Sequence, residues 1–288
     1  MSRRPSRSSV SRAARASENR APEDRPSGER SSEGRSSGGR SSGGRSSGGR
    51  SSAAGYWMYG LHAVEAALRN ADRDVHELLV TKEALSALEA RQVPIRISPN
   101  VVERQRLDHL CERDAVHQGV CMRVEPLTPP YLDDVLSSRE GPLLILDQVT
   151  DPRNIGAILR SAAAFGAAAL VVQDRNTPQE GGALAKAASG ALDVVPILRE
   201  VNLSRIIAQL QNAGLWTVGL DAGGSMLNGQ GFAGRRVALV LGAEGAGLRR
   251  LTRESCDEIA SVYMPGDMES LNVSNAAAVA LYELVRPA

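Results

Sequence analysis

The sequence predicts an α/β protein: an open sheet with helices on both faces, preceded by a smaller α/β unit and a disordered tail. Three observations carry this reading. After Gly141-Pro142, short apolar runs alternate with segments of helical periodicity. Residues 56–124 repeat the alternation on a smaller scale. The first 50 residues hold 12 Arg, 15 Ser and 8 Gly and almost no large apolar side chain, so they cannot offset the entropy of ordering their backbone.

The tail, residues 1–54, also divides the charge. Twelve arginines against five acids give its first 50 residues +7, which leaves 22 basic and 28 acidic residues, or −6, for the remainder. The repeat Arg-Ser-Ser-Gly-Gly, starting at Arg35, Arg40 and Arg45, has flexible-linker composition, and its arginines suit phosphate contact and stacking on bases. A solvated linker without a partner is the other reading. Its Arg- and Ser-rich character resembles an organellar transit peptide, but the acids Glu18, Glu23, Asp24, Glu29 and Glu33 and the Gly repeats fit that poorly, so a cytoplasmic location is expected.

Order is expected from Tyr56. Leu61, Val64 and Leu68 share a helical face, Val75 to Val80 reads as a strand, and Leu85 and Leu88 mark a short helix. Ile95 to Ile97, after Pro94, reads as a strand, Val101 to Cys111 as a helix, and Val120 to Val124 as a final strand. Pro126, Pro129 and Pro130 break regular structure before Tyr131 to Leu136, so the smaller unit is placed at 55–126, a linker at 127–141 and the larger unit at 142–288.

In the larger unit Leu143 to Leu146 suits a buried parallel strand. Asn154 to Phe165 carries Ile155, Ile158, Leu159 and Ala162 at helical spacing, with Gly166 as its cap. Further strands are expected at Leu170 to Gln173, Val194 to Ile197, Trp216 to Leu220, Val237 to Leu241 and Ser261 to Met264. A last helix, Asn272 to Val285, has Val279 and Leu284 on its apolar side.

Three polar loops each follow a strand, where open α/β sheets place ligands. They are Asp147 to Asn154, with Arg160 six residues on; Gly242 to Gly247; and Met264 to Ser274. Taken singly, Asn154 is a helix cap, Arg160 a solvated helix residue and the glycine cluster a tight connection. Other chemistries drop out by what they require. The lysines, Lys82 and Lys186, do not follow glycine as a P-loop demands, and the glycine cluster reads GxxGxG with only one strand after it. Cys111, Cys121, Cys256 and the four histidines show no metal or disulfide spacing, so structural thiols and no metal are expected. No run of about 18 apolar residues exists, which excludes a transmembrane helix.

Taken together, the three loops resemble the motifs of the SpoU-type RNA ribose 2'-O-methyltransferases of the SPOUT superfamily. The likeness rests on Asp151-Pro152-Arg153-Asn154-Ile155-Gly156 with Arg160 and Phe165-Gly166, on Val240-Leu241-Gly242-Ala243-Glu244-Gly245, and on Ser270-Leu271-Asn272-Val273-Ser274. It spans about Leu143 to Arg286. Tyr59-Gly60 and His117-Gln118-Gly119 resemble the substrate-binding unit of the subgroup acting on a guanosine ribose in large-subunit ribosomal RNA. Tyr263 departs from the pattern, since many relatives have Pro before Met.

The resemblance implies a deep trefoil knot, S-adenosylmethionine as cofactor, ribosomal RNA as substrate and a homodimer whose sites draw on both subunits. It assigns Asn154, Arg160, Glu244, Ser270 and Asn272 to catalysis and Leu241, Gly242, Val262, Met264 and Leu271 to the cofactor. Family precedent makes Arg160 the base; electrostatic action on the RNA phosphate is the alternative, because a guanidinium does not readily give up its proton. Gly242 is expected to let the cofactor approach backbone. His117 reads as a turn or partly buried residue, with RNA contact as the other possibility. The alternatives to ribosomal RNA methylation are transfer RNA ribose methylation and a noncatalytic RNA-binding or assembly role.

Overall fold

The computed structural model describes residues 55–111 and 115–287. The Arg/Ser/Gly-rich tail expected at 1–54 lies outside the described residues. Among the described residues the chain forms two sheets. The first contains β1 (Tyr56–Tyr59), β2 (Val75–Val80), β3 (Asn100–Val101) and β4 (Val120–Val124) in the order β1-β4-β2-β3, with α1 (Leu61–Arg69), α2 (Lys82–Ala90) and α3 (Arg104–Leu110) in its connections. β4 runs antiparallel to both β1 and β2, and β3 is parallel to β2.

The helix α4 (Leu132–Ser138) leads into the second sheet. Its strands are β5 (Leu143–Asp147), β6 (Ala169–Gln173), β7 (Ile197–Glu200), β8 (Trp216–Met226), β9 (Val237–Gly242) and β10 (Glu258–Ser261). All pairings are parallel, in the order β10-β8-β9-β5-β6-β7. The connecting helices are α5 (Pro152–Ala164), α6 (Gly182–Ala188), α7 (Leu203–Asn212) and α8 (Arg250–Ser255), and α9 (Val273–Val285) follows β10.

The continuous apolar runs of β5, β6 and β9 are buried on both sides, as a parallel sheet between helix layers requires. Leu144, Leu146, Leu170, Val172, Leu239 and Leu241 face α5, α6 and α9. The alternate residues Leu143, Ile145, Ala169, Val171, Ala238 and Val240 face α4 and α7. Strand order reverses about β5: the chain proceeds to β6 and β7 on one side and returns to β8 and β9 on the other. The crevice at the carboxyl ends of β5 and β9 is therefore where this topology receives a ligand.

Several expected boundaries move. Ile95 to Ile97 is not a strand; both isoleucines are half-buried against the core, while the backbone pairing falls at β3, so the alternation reports burial rather than a ladder. Val101 belongs to that strand, and α3 begins at Arg104. β7 begins after Pro196, which has no N–H to give the ladder but whose carbonyl accepts from Leu170 N at 3.0 Å. β8 runs six residues past Leu220, through Gly223-Gly224, because a Cβ at Gly224 would meet the Ala260 backbone at 2.7 Å; the close strand approach calls for glycine. β10 ends at Ser261 rather than beginning there, which frees Val262 and Met264 for the loop. On α9, Val279 is exposed, and Val273, Ala277, Ala280 and Leu281 form the buried face.

Cys111 and Cys121, unrelated in spacing, meet at 2.9 Å between sulfurs. Burial pushes the thiols of Cys121 and Cys256 up, the latter to about 12, which makes both poor nucleophiles. Among the described residues no cluster of His, Cys, Asp and Glu could hold a metal ion, and no helix is long and apolar enough to cross a membrane.

Candidate active site

The first loop is shaped by the start of α5. Asp151, not Asn154, is the cap: its side chain accepts from Arg153 N at 2.8 Å, and Pro152 occupies the first helical turn, where a missing N–H costs nothing. Asn154 is thereby carried into the first turn of the helix. The third loop ends at α9, whose cap is Asn272. Its Oδ1 accepts from Ser274 N at 2.9 Å and from Ser274 Oγ at 2.5 Å. With the oxygen committed to the helix, its Nδ2 donates to Asn154 Oδ1 at 3.1 Å and to Glu244 Oε1. Glu244 also accepts from Val273 N at 3.3 Å. One residue from each of the three loops thus meets at a single exposed point above β5 and β9.

The second loop folds back on itself. Ala243 bridges Gly247, with Gly247 N donating to Ala243 O at 3.0 Å. A Cβ on Gly242 would stand 2.1 Å from Gly247 C and 2.5 Å from Leu248 N. Glycine is required there by the loop's own backbone, as the tight-connection reading expects.

Beside this loop opens a cleft of about 230 Å³. Leu241, Gly242, Val262, Met264 and Leu271, the five residues expected around the cofactor, all line it, as do Glu244 and Ser270. Tyr263 is 69% exposed and does not line the cleft, so its departure from the family pattern leaves the flanking Val262 and Met264 in place. A larger cavity of about 800 Å³ lies at the opposite end of the sheet, by Pro142 and Val237, and contains none of the motif residues.

Arg160 is not part of this cluster. It is exposed on α5 and has no hydrogen bond or ion pair among the described residues. Six residues beyond Asn154, it lies about 9 Å along the helix axis and two-thirds of a turn round it.

Two charged pairs at the site were missed by reading the motifs. Asp147, fully buried at the end of β5, accepts from Arg249 N at 3.0 Å and from Arg249 Nε at 2.6 Å, tying the first loop to the start of α8, just after the second loop. An acid closing an apolar strand signals such a partner, because a buried carboxylate without one is prohibitively costly. Asp221, on the cleft wall, pairs with Arg253. His117 is 1% exposed, with Nε2 on Asp108 at 2.8 Å and Nδ1 accepting from Gly119 N at 3.1 Å. Both ring nitrogens are engaged inside the smaller unit, as the buried reading expects.

Comparison with known proteins shows what the chain is similar to. The model of the SpoU rRNA Methylase family matches residues 141–282, and that for RNA 2'-O ribose methyltransferase substrate binding matches residues 57–130. The chain is 41% identical over 241 residues to the Escherichia coli K12 protein 23S rRNA (guanosine-2'-O-)-methyltransferase RlmB, covering 80% of this chain and 97% of that one. The Pasteurella multocida protein of the same name is 42% identical over 240 residues, with the same coverage. Among solved structures, the SpoU methyltransferase AviRb from Streptomyces viridochromogenes, in complex with AdoMet, superposes with a TM-score of 0.68 at 26% identity, over 82% of this chain and 91% of that one.

Proposed function

The chain belongs to the SpoU rRNA methylase family, and we propose that it transfers a methyl group from S-adenosylmethionine to the 2'-hydroxyl of a guanosine ribose in large-subunit ribosomal RNA. The observation that carries the reading is the meeting of Asn154, Glu244 and Asn272 beside a cleft lined by Leu241, Gly242, Val262, Met264 and Leu271.

This lining fits the cofactor. Leu241, Val262, Met264 and Leu271 offer apolar surface to an adenine ring and a methionine chain, and the folded-back loop after Gly242 offers backbone polar groups. When bound, S-adenosylmethionine supplies an electrophilic methyl group. The protein must then deprotonate a weakly nucleophilic hydroxyl and hold its oxygen in line. Asn272 and Glu244, joined and open to solvent, are assigned to hold the target nucleotide, with Ser270 on the wall that Glu244 also lines. Arg160 is assigned to the nucleophile side, as base or as a charge on the RNA phosphate. The smaller unit, 55–126, is assigned to RNA capture, 127–141 to the connection and 142–288 to transfer, in the cytoplasm.

A knot and a dimer complete the reading. The chain leaves β10 at the sheet edge, yet α9 returns to pack on α5 and β9 at its centre, a path that supports the trefoil knot, a rare exception to unknotted chains. Val279, Tyr282 and Val285 leave exposed apolar surface on α9, which supports a second copy as its cover. With Asn272 engaged in its own chain, Arg160 is the group offered across the interface. Isolated monomers are then expected to be inactive, and mixing Arg160→Ala with Asn272→Ala protein should restore part of the activity lost by each. Light scattering under assay conditions checks this, and a fully active monomer would remove the dimer from the reading.

The tail is assigned to RNA capture without a part in transfer. Since each Arg–phosphate contact releases counterions, the full chain should lose RNA affinity more steeply with salt than one lacking residues 1–54, with similar turnover at saturating RNA. Equal salt slopes would make the tail a passive linker.

The primary test is methyl transfer from labelled cofactor to undermodified ribosomal RNA and transfer RNA side by side, followed by nucleotide mapping. Transfer to a guanosine ribose in the large-subunit RNA is expected. Transfer only to transfer RNA, or RNA binding without transfer, would replace the proposal by one of those alternatives.

A further inference from the structure

We propose that Arg73 is a positioning residue: its buried ion pairs fix the smaller unit against α6 and so set where captured RNA meets the catalytic cluster. The purpose assigned to this clamp rests on the methyltransferase reading; the clamp itself rests on geometry.

Arg73 lies between α1 and β2, and its side chain is 0% exposed. Its Nε donates to Asp193 Oδ1 at 2.8 Å, and its Nη1 to Glu180 Oε2 at 2.7 Å and to Glu125 O at 2.9 Å. Both carboxylates come from the larger unit, one on each side of α6, and both are nearly buried. The smaller unit and its connection supply their other partners. Tyr56 Oη and Leu127 N each donate to Glu180 at 3.2 Å, and Asn70 Nδ2 to Asp193 at 3.1 Å. Burial opposes the charge on Arg73, yet the carboxylates of Asp193 and Glu180 hold its pKa above the ordinary range.

A second contact holds the same helix. Gln118, at a left-handed φ of 55°, accepts through Oε1 from Leu61 N at 3.1 Å, the uncapped start of α1, and from Lys186 Nζ of α6 at 2.8 Å. At the first residue of α6, a Cβ on Gly182 would reach the Tyr59 ring at 2.4 Å. Tyr59 and Gly60 of one motif of the smaller unit and Gln118 of the other thus lie at this junction. α6 packs in turn on α5, where a Cβ on Gly156 would meet Ala187 Cβ at 2.5 Å, and α5 carries Asn154 and Arg160.

Apolar packing alone could hold two units together without desolvating a guanidinium and two carboxylates. In this arrangement every charge has an ion-pair partner, although Arg73 Nη2 and Asp193 Oδ2 are buried without a hydrogen-bond partner. Moving the units apart leaves whole charges unpaired, so the cluster selects an arrangement. RNA touching both units then binds without first bearing the entropy of ordering them. Once bound, RNA itself holds them in place, so loosening the clamp should act on KM more than on kcat.

The test uses the full chain and the variants Arg73→Gln, Arg73→Lys and Lys186→Ala. Expected for Arg73→Gln and Lys186→Ala are faster hydrogen exchange in β1 and α6 with β5 and β9 still protected, KM for a ribosomal RNA fragment raised, about tenfold or more for Arg73→Gln, kcat within roughly threefold, and unchanged calorimetric cofactor affinity. Arg73→Lys, which keeps the charge but not the fork, should recover part of the KM. Unchanged exchange and KM in folded variants would overturn the clamp, and a faster enzyme would show it to be inhibitory instead. If Arg73→Gln loses protection everywhere, Lys186→Ala decides between these outcomes. If the unaltered protein methylates neither RNA, the methyltransferase reading falls, while hydrogen exchange still judges the clamp.

Discussion

Replacing Arg160 by Ala is expected to cost at least about 100-fold in single-turnover rate, the scale on which one charged or hydrogen-bonding group aimed at the transition state acts. Cofactor affinity should change little, because Arg160 does not line the cleft beside Gly242. Stability should also hold. Arg160 is exposed and has no polar partner among the described residues, so its removal leaves no buried group unsatisfied. This freedom makes the variant informative: a rate loss cannot be charged to unfolding. Lys should restore only part of the rate, since it supplies a charge without the planar fork that grips a phosphate. Calorimetric cofactor binding beside single-turnover kinetics separates the effects. Lost cofactor affinity with an intact chemical step would move Arg160 from the nucleophile to the cofactor.

Much of this arrangement was legible in the residues, and the parts that were not share a physical cause. The buried runs at β5, β6 and β9 could be read directly because strands covered on both faces have continuous apolar sequences. The face of α5 was equally plain, with Ile155, Ile158, Leu159 and Ala162 buried as their spacing requires. Elements decided by tertiary pairing were hidden. Nothing in Asn100-Val101 announces a strand until β2 lies beside it, and Ala222-Gly223-Gly224 reads as a breaker until β10 approaches too closely for a side chain. The same division holds at the site. Expected strand ends located the loops and motif likeness assigned them, but only the fold shows that Asn272 divides its amide between capping α9 and joining Asn154 to Glu244. Arg73, Glu180 and Asp193 had no motif, and pairing across more than 100 residues leaves no local pattern.

Gly242→Ala should do more harm than alanine at any open glycine of the same loop. A methyl group at 242 would stand 2.1 Å from Gly247 C and 2.2 Å from Gly247 O, and backbone cannot rotate aside as a side chain can. The return of the loop, held by Gly247 N on Ala243 O, must therefore open. Overpacking of this kind costs about 1–3 kcal/mol, and if the cost falls on the binding-competent loop, cofactor affinity drops roughly 5- to 150-fold. Gly245→Ala is the control. Gly245 has φ +78°, so alanine there bears the left-handed penalty of roughly 1–2 kcal/mol, but no heavy atom lies within 4 Å of the added carbon. That strain can relax into solvent, whereas the strain at 242 displaces the wall formed by Leu241 and Gly247. RNA affinity should survive both changes, because capture is assigned to the smaller unit. Cofactor calorimetry and thermal unfolding of the two variants, run in parallel, test the contrast. Equal losses would mean that the close backbone approach at 242 costs no more than the left-handed strain at 245, and normal binding by Gly242→Ala would mean that the loop opens to admit its ligand and the folded-back form is not the one that binds.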